Sequence, residues 1–194
     1  MLLALMLAMS LSSIPSTQAA SLQIILIPCG RVSQEMLAFL EGGLRREFGA
    51  DVGYAERMMV PESAYAAERS QYRADAFIDQ APVMGPGRET LTLMVTDVDL
   101  YVPRLNFVFG LADRRRRTAV ISLARLNPEF YGRSSNPELF RERALKEAVH
   151  ELGHLMGLEH CSDPACIMFF SNSLADTDRK GPGFCPRCRQ QVGR

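Results

Sequence analysis

All three histidines of the 194-residue chain fall within one short segment near its C-terminal end. The segment from His150 to His160 reads HELGHLMGLEH, which has the spacing H-E-x-x-H-x-x-G-x-x-H. On an α-helix, residues i and i+4 lie one above the other on the same face, so His150 and His154 can direct imidazole nitrogens at one metal ion. The pattern therefore predicts a helix that carries two metal ligands.

The remaining residues of this segment complete the pattern of a zinc hydrolase. Glu151 lies one step round the helix from His150, where it can act as general base on a water without being a ligand. Gly157 can adopt a left-handed backbone conformation that ends the helix and turns His160 back toward the ion. Three neutral nitrogens with an open fourth position are typical of a catalytic zinc site. H-E-x-x-H alone is a moderate signal, but Gly157 and His160 make a chance match rare.

Two short cysteine pairs follow the histidines. Cys161 and Cys166 are separated by four residues, and Cys185 and Cys188 form a C-x-x-C pair further along the chain. This spacing favours a structural zinc ion held by four thiolates, with two disulfides or a redox-active C-x-x-C as the alternatives. The fifth cysteine, Cys29, is left over and is predicted to be a buried thiol.

Together these patterns resemble the archaemetzincin family, which belongs to the metzincin clan of zinc peptidases. The resemblance is clearest over residues 149–188 and is looser in two upstream segments, 22–28 and 106–110. It implies a catalytic zinc ion bound by His150, His154 and His160, with Glu151 as base and acid. It also implies a second, structural zinc ion bound by Cys161, Cys166, Cys185 and Cys188.

The resemblance further places Met168 in a methionine turn beneath the catalytic zinc. A polarizable thioether can support the histidine rings there without competing for the metal. Some metzincins have a tyrosine after this turn as an extra ligand or oxyanion donor. Phe169 and Phe170 stand at the corresponding positions here, so we expect stabilisation of the transition state to come from zinc and other donors.

The first twenty residues differ from the rest of the chain. Met1 to Met9 is an apolar run too short to span a bilayer, and the small residues that end at Ala20 suit signal peptidase. No Lys or Arg precedes Arg31, so an N-terminal extension is the alternative. We expect residues 1–20 to be a signal peptide and the protein to be exported to the periplasm or secreted, with a cytoplasmic location as the alternative.

The remaining chain is predicted to form a single metallopeptidase domain at residues 21–194. Within it, we expect an N-terminal subdomain at 21–157 that ends in the active-site helix, and a C-terminal subdomain at 158–194 that contains the methionine turn and the four cysteines. The chain has 22 basic and 22 acidic residues, and this balance indicates neither a nucleic-acid partner nor an anionic membrane surface. We expect a monomer that acts on peptides or proteins and does not associate with a membrane once the leader is removed.

Hydrophobic periodicity predicts an α/β fold with a mixed sheet. A first helix is expected to begin after Ser33 and to end at Gly49, and a short helix is expected around Tyr72 to Asp79, bounded by Pro82 and by the turn residues 85–87. Five strands are predicted, at residues 22–27, 51–55, 91–96, 107–111 and 118–123. With the resemblance, this gives a metzincin-like α+β architecture: a twisted mixed sheet with an antiparallel edge strand, a long active-site helix and a small zinc-stapled C-terminal subdomain.

With the resemblance, the fourth strand is predicted to be an edge strand along which an extended substrate could add, and an ordinary edge strand is the alternative. It precedes the charged turn at residues 113–117, which includes four consecutive arginines, Arg114 to Arg117. The arginines are interpreted as a solvated turn, with a role in binding a substrate carboxylate as the alternative.

The active-site helix is expected to begin near Pro137, with Asn136 as its N-cap. Leu139, Phe140, Ala144, Leu145 and Ala148 are predicted to pack on the sheet. The opposite face is predicted to meet solvent through Arg141, Glu142, Arg143, Lys146 and Glu147.

The function predicted from these features is hydrolysis of peptide bonds by a zinc-activated water, with Glu151 as base and acid. The alternative is a zinc-stabilised peptide-binding module with little or no turnover. Aminopeptidase and endopeptidase activity both fit. Glu159, beside His160, could anchor a substrate amine, but it is interpreted as a surface carboxylate at the end of the helix.

Overall fold

The computed structural model of the chain describes residues 21–82 and 89–193. The predicted leader and the predicted turn at residues 85–87 lie outside these ranges. Within the described residues, no helix is both long enough and apolar enough to cross a bilayer.

In the described ranges, eight strands form two sheets. They are β1 (Gln23–Cys29), β2 (Asp51–Tyr54), β3 (Tyr65–Ala66), β4 (Gln71–Arg73), β5 (Thr90–Thr96), β6 (Leu100–Tyr101), β7 (Gly110–Asp113) and β8 (Thr118–Ser122). The large sheet has the order β2-β1-β5-β8-β7, and the small sheet has the order β3-β4-β6. In the large sheet, β2, β1, β5 and β8 are parallel, while β7 runs antiparallel to β8 at the edge. The predicted mixed sheet with an antiparallel edge strand is confirmed.

The part of the chain that the structure describes also contains five α-helices: α1 (Gln34–Phe48), α2 (Ala74–Gln80), α3 (Pro137–Leu155), α4 (Leu174–Arg179) and α5 (Pro186–Val192). Ser33 caps α1 by accepting a hydrogen bond from the Met36 N–H, and Gly49 ends this helix in the left-handed region with φ +61°. Asn136 caps α3 by accepting from the Leu139 N–H, with Pro137 in the first turn. Both predicted N-caps are confirmed.

The three central strands of the large sheet, β1, β5 and β8, are buried on both faces, because their residues point alternately into two different hydrophobic clusters. In β1, Ile24 and Leu26 pack with α1 and α3, whereas Ile25 and Ile27 pack with α2 on the other face. This burial explains why the parallel strands read as nearly continuous apolar runs. The cluster on the α1 and α3 face also contains the C-terminal residues Cys161, Cys166, Ile167, Met168 and Cys188.

The prediction for the fourth strand was wrong at its start. It was placed at residues 107–111, but β7 begins at Gly110. The residues before Gly110 do not belong to β7, because Val108 forms an isolated antiparallel bridge with Leu100 of β6. The Val108 N–H donates to the Leu100 carbonyl at 2.9 Å. This segment therefore joins the small sheet to the edge of the large one.

The predicted charged turn connects β7 to β8. Asp113 Oδ1 accepts hydrogen bonds from the backbone N–H groups of Arg115 and Arg116 at 2.8 and 3.2 Å, and Arg117 has a positive φ of 54°. Arg116 also pairs with Asp79 of α2 at 2.8 Å. These contacts stabilise the turn that places β7 at the edge of the sheet.

The polar face of α3 is less exposed than the sequence predicted. Arg143 and Glu147 are both 3% exposed. Arg143 forms a bidentate ion pair with Asp178 of α4 at 2.6 and 2.7 Å, so the C-terminal segment folds over this side of the helix. The helical period identified the polar face, but only the tertiary fold shows that α4 covers it.

Candidate active site and metal centres

The last turns of α3 and the loop after it bring the three histidines together. The Nε2 atoms of His150 and His154 lie 3.1 Å apart, and each of the three rings offers a nitrogen within 4.8 Å of the other two. Nitrogens at about 2.0–2.1 Å from a tetrahedral zinc ion are separated by about 3.3 Å. The donor set and its spacing therefore fit a zinc ion.

The backbone after the helix orients two of these rings. His150 Nδ1 lies 2.8 Å from the Ile167 carbonyl oxygen, and His154 Nδ1 lies 2.8 Å from the Leu158 carbonyl oxygen. With Nδ1 donating to a carbonyl, Nε2 of each ring presents its lone pair to the shared position. Gly157 has φ +96°, a conformation that favours glycine. It allows the chain to turn after α3 and to bring His160 back to the other two histidines.

Burial favours the neutral form of the histidine ligands. It lowers the pKa of His150 well below its ordinary value, and the positive charge of Lys180 acts in the same direction. Burial is also the largest cause of the lowered pKa of His154 and of His160. Neutral imidazoles are the form that binds zinc.

Glu151 lies in the same cleft, directly beneath the edge strand. A Cβ on Gly110, the first residue of β7, would lie 2.6 Å from Glu151 Oε1, so only glycine allows the strand to pass this close. Burial raises the pKa of Glu151 to about 8, assisted by the charge of Glu147 and opposed by that of Lys180. A buried carboxyl group next to the histidine cluster, with a pKa near neutrality, has the position and the environment of a group that both accepts and donates a proton.

Met168 lies against the active-site helix, and Phe170 lies against His160. Met168 is fully buried, and a Cβ on Gly153 would lie 2.5 Å from its sulfur, which places the thioether directly against α3. The Phe170 ring lies 4.7 Å from the His160 ring, measured between centroids. Phe170 therefore contacts one histidine ring, and Met168 packs on the helix that carries the other two.

The cleft around these residues has a volume of about 510 Å³. Its lining combines the segment from Leu105 to Ala112 with the histidines, Glu151 and residues 170–172. Glu159 is exposed and does not line the cleft.

Two ionic residues that the sequence analysis did not assign to the site also line this cleft. They are Glu147 and Lys180, whose Oε1 and Nζ atoms lie 3.0 Å apart and whose side chains are 4% and 0% exposed. Glu147 could have been suspected, because it precedes Glu151 by one helical turn on the same face. No local pattern indicates Lys180, which lies thirty residues downstream of His150.

The four remaining candidate ligands form a second cluster. The sulfurs of Cys161, Cys166, Cys185 and Cys188 all lie within 4.8 Å of one another, and all five cysteines of the chain, each in the described ranges, are free thiols. Cys161 Sγ and Cys185 Sγ lie 3.8 Å apart, which matches the separation of about 3.8 Å expected for sulfurs at 2.3 Å from a tetrahedral zinc ion. The donor set therefore fits a four-thiolate zinc site.

Hydrogen bonds favour the thiolate form of Cys161, whereas burial raises the pKa of Cys166 and of Cys188. Burial raises the pKa of Cys161, but hydrogen bonds from the Asp163 backbone and from Arg187 outweigh it and lower this pKa to about 7. Arg187 Nη2 lies 3.2 Å from the Cys161 sulfur. Close to this cluster, the Cys161 N–H donates to the Met168 carbonyl at 2.8 Å, so the two candidate metal sites share one loop.

Comparison with known proteins agrees with this geometry. The family model described as peptidase family M54 matches residues 47–194. An archaemetzincin from Pyrococcus abyssi is 43% identical over 178 residues, which cover 87% of this chain and 93% of that protein.

Solved structures of archaemetzincins are similar in fold as well. The one from Methanopyrus kandleri has 39% identity and a TM-score of 0.79, covering 92% of this chain and 97% of that one. The one from Archaeoglobus fulgidus, which was solved with malonate, has 37% identity and a TM-score of 0.77, covering 88% and 99%. The histidine and cysteine clusters, the fold and these relatives together show that the chain belongs to peptidase family M54, the archaemetzincins, and is a zinc metallopeptidase.

Proposed function

We propose that this protein hydrolyses peptide bonds with Glu151 as general base and general acid, at a zinc ion held by His150, His154 and His160. The observation that carries this proposal is the convergence of three neutral histidines and one buried carboxylate in a cleft beneath the edge strand. When bound, zinc supplies Lewis-acid chemistry that polarises the scissile carbonyl and activates a water molecule.

The protein residues carry the proton transfers. Glu151 accepts a proton from the attacking water, and the same carboxyl group then delivers this proton to the leaving amine. Gly110 lets the edge strand approach this carboxylate closely, so a peptide held along β7 has its backbone next to the base.

Binding of the substrate as an additional strand along β7 is the second part of the proposal. This strand is the last in the order of the large sheet, and its residues line the cleft. An extended peptide could therefore hydrogen-bond to the backbone of β7 while its side chains enter the cleft.

The third part of the proposal is a count of two zinc ions per chain. The four-cysteine cluster supports a second, structural ion held by Cys161, Cys166, Cys185 and Cys188. This ion would close the loop that carries Met168 and would hold the carbonyl of Ile167 against His150.

Replacing Glu151 by glutamine tests the mechanism. We expect Glu151→Gln to keep two zinc ions per chain by elemental analysis and to lose peptide-library cleavage by about 10²–10⁴-fold, the usual contribution of a general acid-base residue. Glu159→Gln is the matched control, and it should cleave at the wild-type rate. Normal cleavage by Glu151→Gln would contradict the mechanism, while two zinc ions without cleavage by the wild type would indicate a binding module.

A cysteine variant tests the second ion. Cys188→Ser should retain one zinc ion per chain and should unfold at lower denaturant concentration than the wild type. A wild type with a single zinc ion, and two disulfides by thiol counting after denaturation with a chelator, would contradict the structural zinc site.

Residues 1–20 are proposed to be a cleavable leader, on the basis of their apolar run and the small residues before Ser21. N-terminal analysis of the protein from the exporting cell should then find chains that begin near Ser21, and chains that retain Met1 would contradict export.

A further inference from the structure

Two polar side-chain atoms in the active-site cleft are buried without a hydrogen-bond partner. Within the described residues, only Thr96 Oγ1, Ser171 Oγ and Lys180 Nζ are buried in this way, and two of these three belong to residues that line the cleft. A buried donor without a partner costs free energy, so it is retained where a ligand can satisfy it. The observation points to a ligand group that accepts hydrogen bonds.

The contacts of Lys180 limit which chemical groups of a ligand can bind beside it. Its ammonium lies 3.0 Å from Glu147 Oε1, which makes an ion pair, but its three N–H groups have no other partner within the described residues. The Thr177 hydroxyl also approaches Glu147 Oε1, at 3.3 Å. Glu147 uses Oε1 for both contacts, so Oε2 can accept a hydrogen bond from a ligand.

Charge distinguishes the possible ligands. A substrate carboxylate would have to compete with Glu147 for the Lys180 ammonium. A substrate ammonium would have to compete with Lys180, which already neutralises Glu147. A neutral carboxamide avoids both problems, because it has one acceptor oxygen and two N–H donors.

We propose that this cleft binds a glutamine or asparagine side chain of the substrate, next to the scissile bond. The carboxamide oxygen accepts hydrogen bonds from Lys180 Nζ and Ser171 Oγ, and its NH₂ group donates to Glu147. This inference rests on the proposed function, and it adds the class of side chain that the enzyme selects.

Cleavage of matched peptides tests the selection. The peptides differ at one position on either side of the scissile bond, where they carry Gln, Glu, Lys or Leu, and kcat/KM is measured for each with the wild-type zinc enzyme. We expect Gln to be preferred over each of the others by about 10-fold or more at one of the two positions, since a polar site discriminates strongly against side chains that leave its groups unpaired.

Variants of Ser171, Lys180 and Glu147 test whether these residues cause the preference for Gln. Ser171→Ala removes an oxygen that has no partner, so the fold should be unchanged, and the Gln-to-Leu ratio of kcat/KM should fall at least threefold. Lys180→Met should bring this ratio close to one. Because it leaves the Glu147 carboxylate buried without a counterion, the double variant Glu147→Gln with Lys180→Met is made beside it and should show the same loss of preference.

Lys146→Met is the control for these variants. Lys146 also joins α3 to α4, with its Nζ donating to the carbonyls of Thr177 and Asp178 at 3.1 and 3.2 Å, but it does not line the cleft. Its Gln-to-Leu ratio should equal that of the wild type.

A preference of the wild type for Glu, Lys or Leu would overturn the inference, and so would an unchanged ratio in both Ser171→Ala and the double variant. If the enzyme cleaves peptides but does not prefer Gln, the inference about a carboxamide site is refuted and the proposed peptidase function stands. Absence of cleavage for every peptide tests the proposed function instead.

Discussion

Replacing Gly153 by alanine perturbs the packing between the active-site helix and the methionine beneath it. The new Cβ would lie 2.5 Å from Met168 Sδ and 3.2 Å from both Met168 Cε and Phe184 Cε1. Ordinary contacts between such atoms are about 3.5–4.0 Å, so Met168 would have to move by about 1 Å or more. Met168 is fully buried and has little room for this movement.

Two effects of opposite sign determine how much Gly153→Ala changes the free energy of unfolding. Alanine in the middle of a helix is more stable than glycine by about 1 kcal/mol. Overpacking of a well-packed core costs about 1–3 kcal/mol. We therefore expect Gly153→Ala to lower the free energy of unfolding by about 1 kcal/mol. Displacement of Met168 should also move the neighbouring Ile167 carbonyl, which orients His150, and should weaken zinc binding by about 10-fold or more.

Gly42→Ala is the matched control, because Gly42 also lies inside a helix but has space around it. The nearest atom to its added Cβ is Arg46 Nη1 at 3.4 Å, the end of a flexible side chain. This variant should raise the free energy of unfolding by about 0.5–1 kcal/mol and leave zinc binding unchanged.

The assay is urea unfolding at a fixed free zinc concentration, together with competition for zinc by a chelator. A Gly153→Ala variant that is stabilised as much as Gly42→Ala, with wild-type zinc affinity, would refute the reasoning that Met168 supports the histidine cluster.

Three further predictions concern other parts of the structure. Asn136→Ala removes the N-cap of α3 and should lower the free energy of unfolding by about 1 kcal/mol in urea titrations, and an unchanged midpoint would contradict the cap. Arg143→Met removes the guanidinium that binds Asp178 and the Leu126 carbonyl, and should cost about 2–4 kcal/mol, whereas a neutral effect would show that the pairing of α3 with α4 is dispensable. Burial outweighs the charge of Arg57 and raises the pKa of Cys29 to about 12. Iodoacetamide should therefore leave this thiol unmodified in the native protein from pH 7 to 10 and label it after denaturation, as peptide mass mapping would show.

Much of the fold followed from local patterns in the sequence. Four of the five predicted strands begin and end within two residues of β1, β2, β5 and β8, because runs of buried β-type residues between turn signals are a local property. Ser33 and Asn136 were identified as caps for the same reason, since a cap acts on backbone groups only three residues away.

The errors concern residues whose environment is formed by distant parts of the chain. Phe107 and Val108 have the composition of a strand, but Val108 pairs with β6 of the small sheet, which the sequence analysis did not detect. Arg143 and Glu147 have the helical spacing of a solvent-exposed face, but α4 folds over them. Periodicity shows that these residues share a surface and does not show what covers it.

The sequence by itself determined which residues of this zinc metallopeptidase are candidate metal ligands. The spacing from His150 to His160 and the two cysteine pairs identify the candidate ligands, because residues on one helix, or within one short cysteine pair, are brought together by local geometry. Only the tertiary structure decided what surrounds those ligands. Gly110 passes over Glu151, and Lys180 meets Glu147, through contacts between segments more than thirty residues apart. Such contacts depend on how helices and strands pack in three dimensions, and no local pattern encodes them.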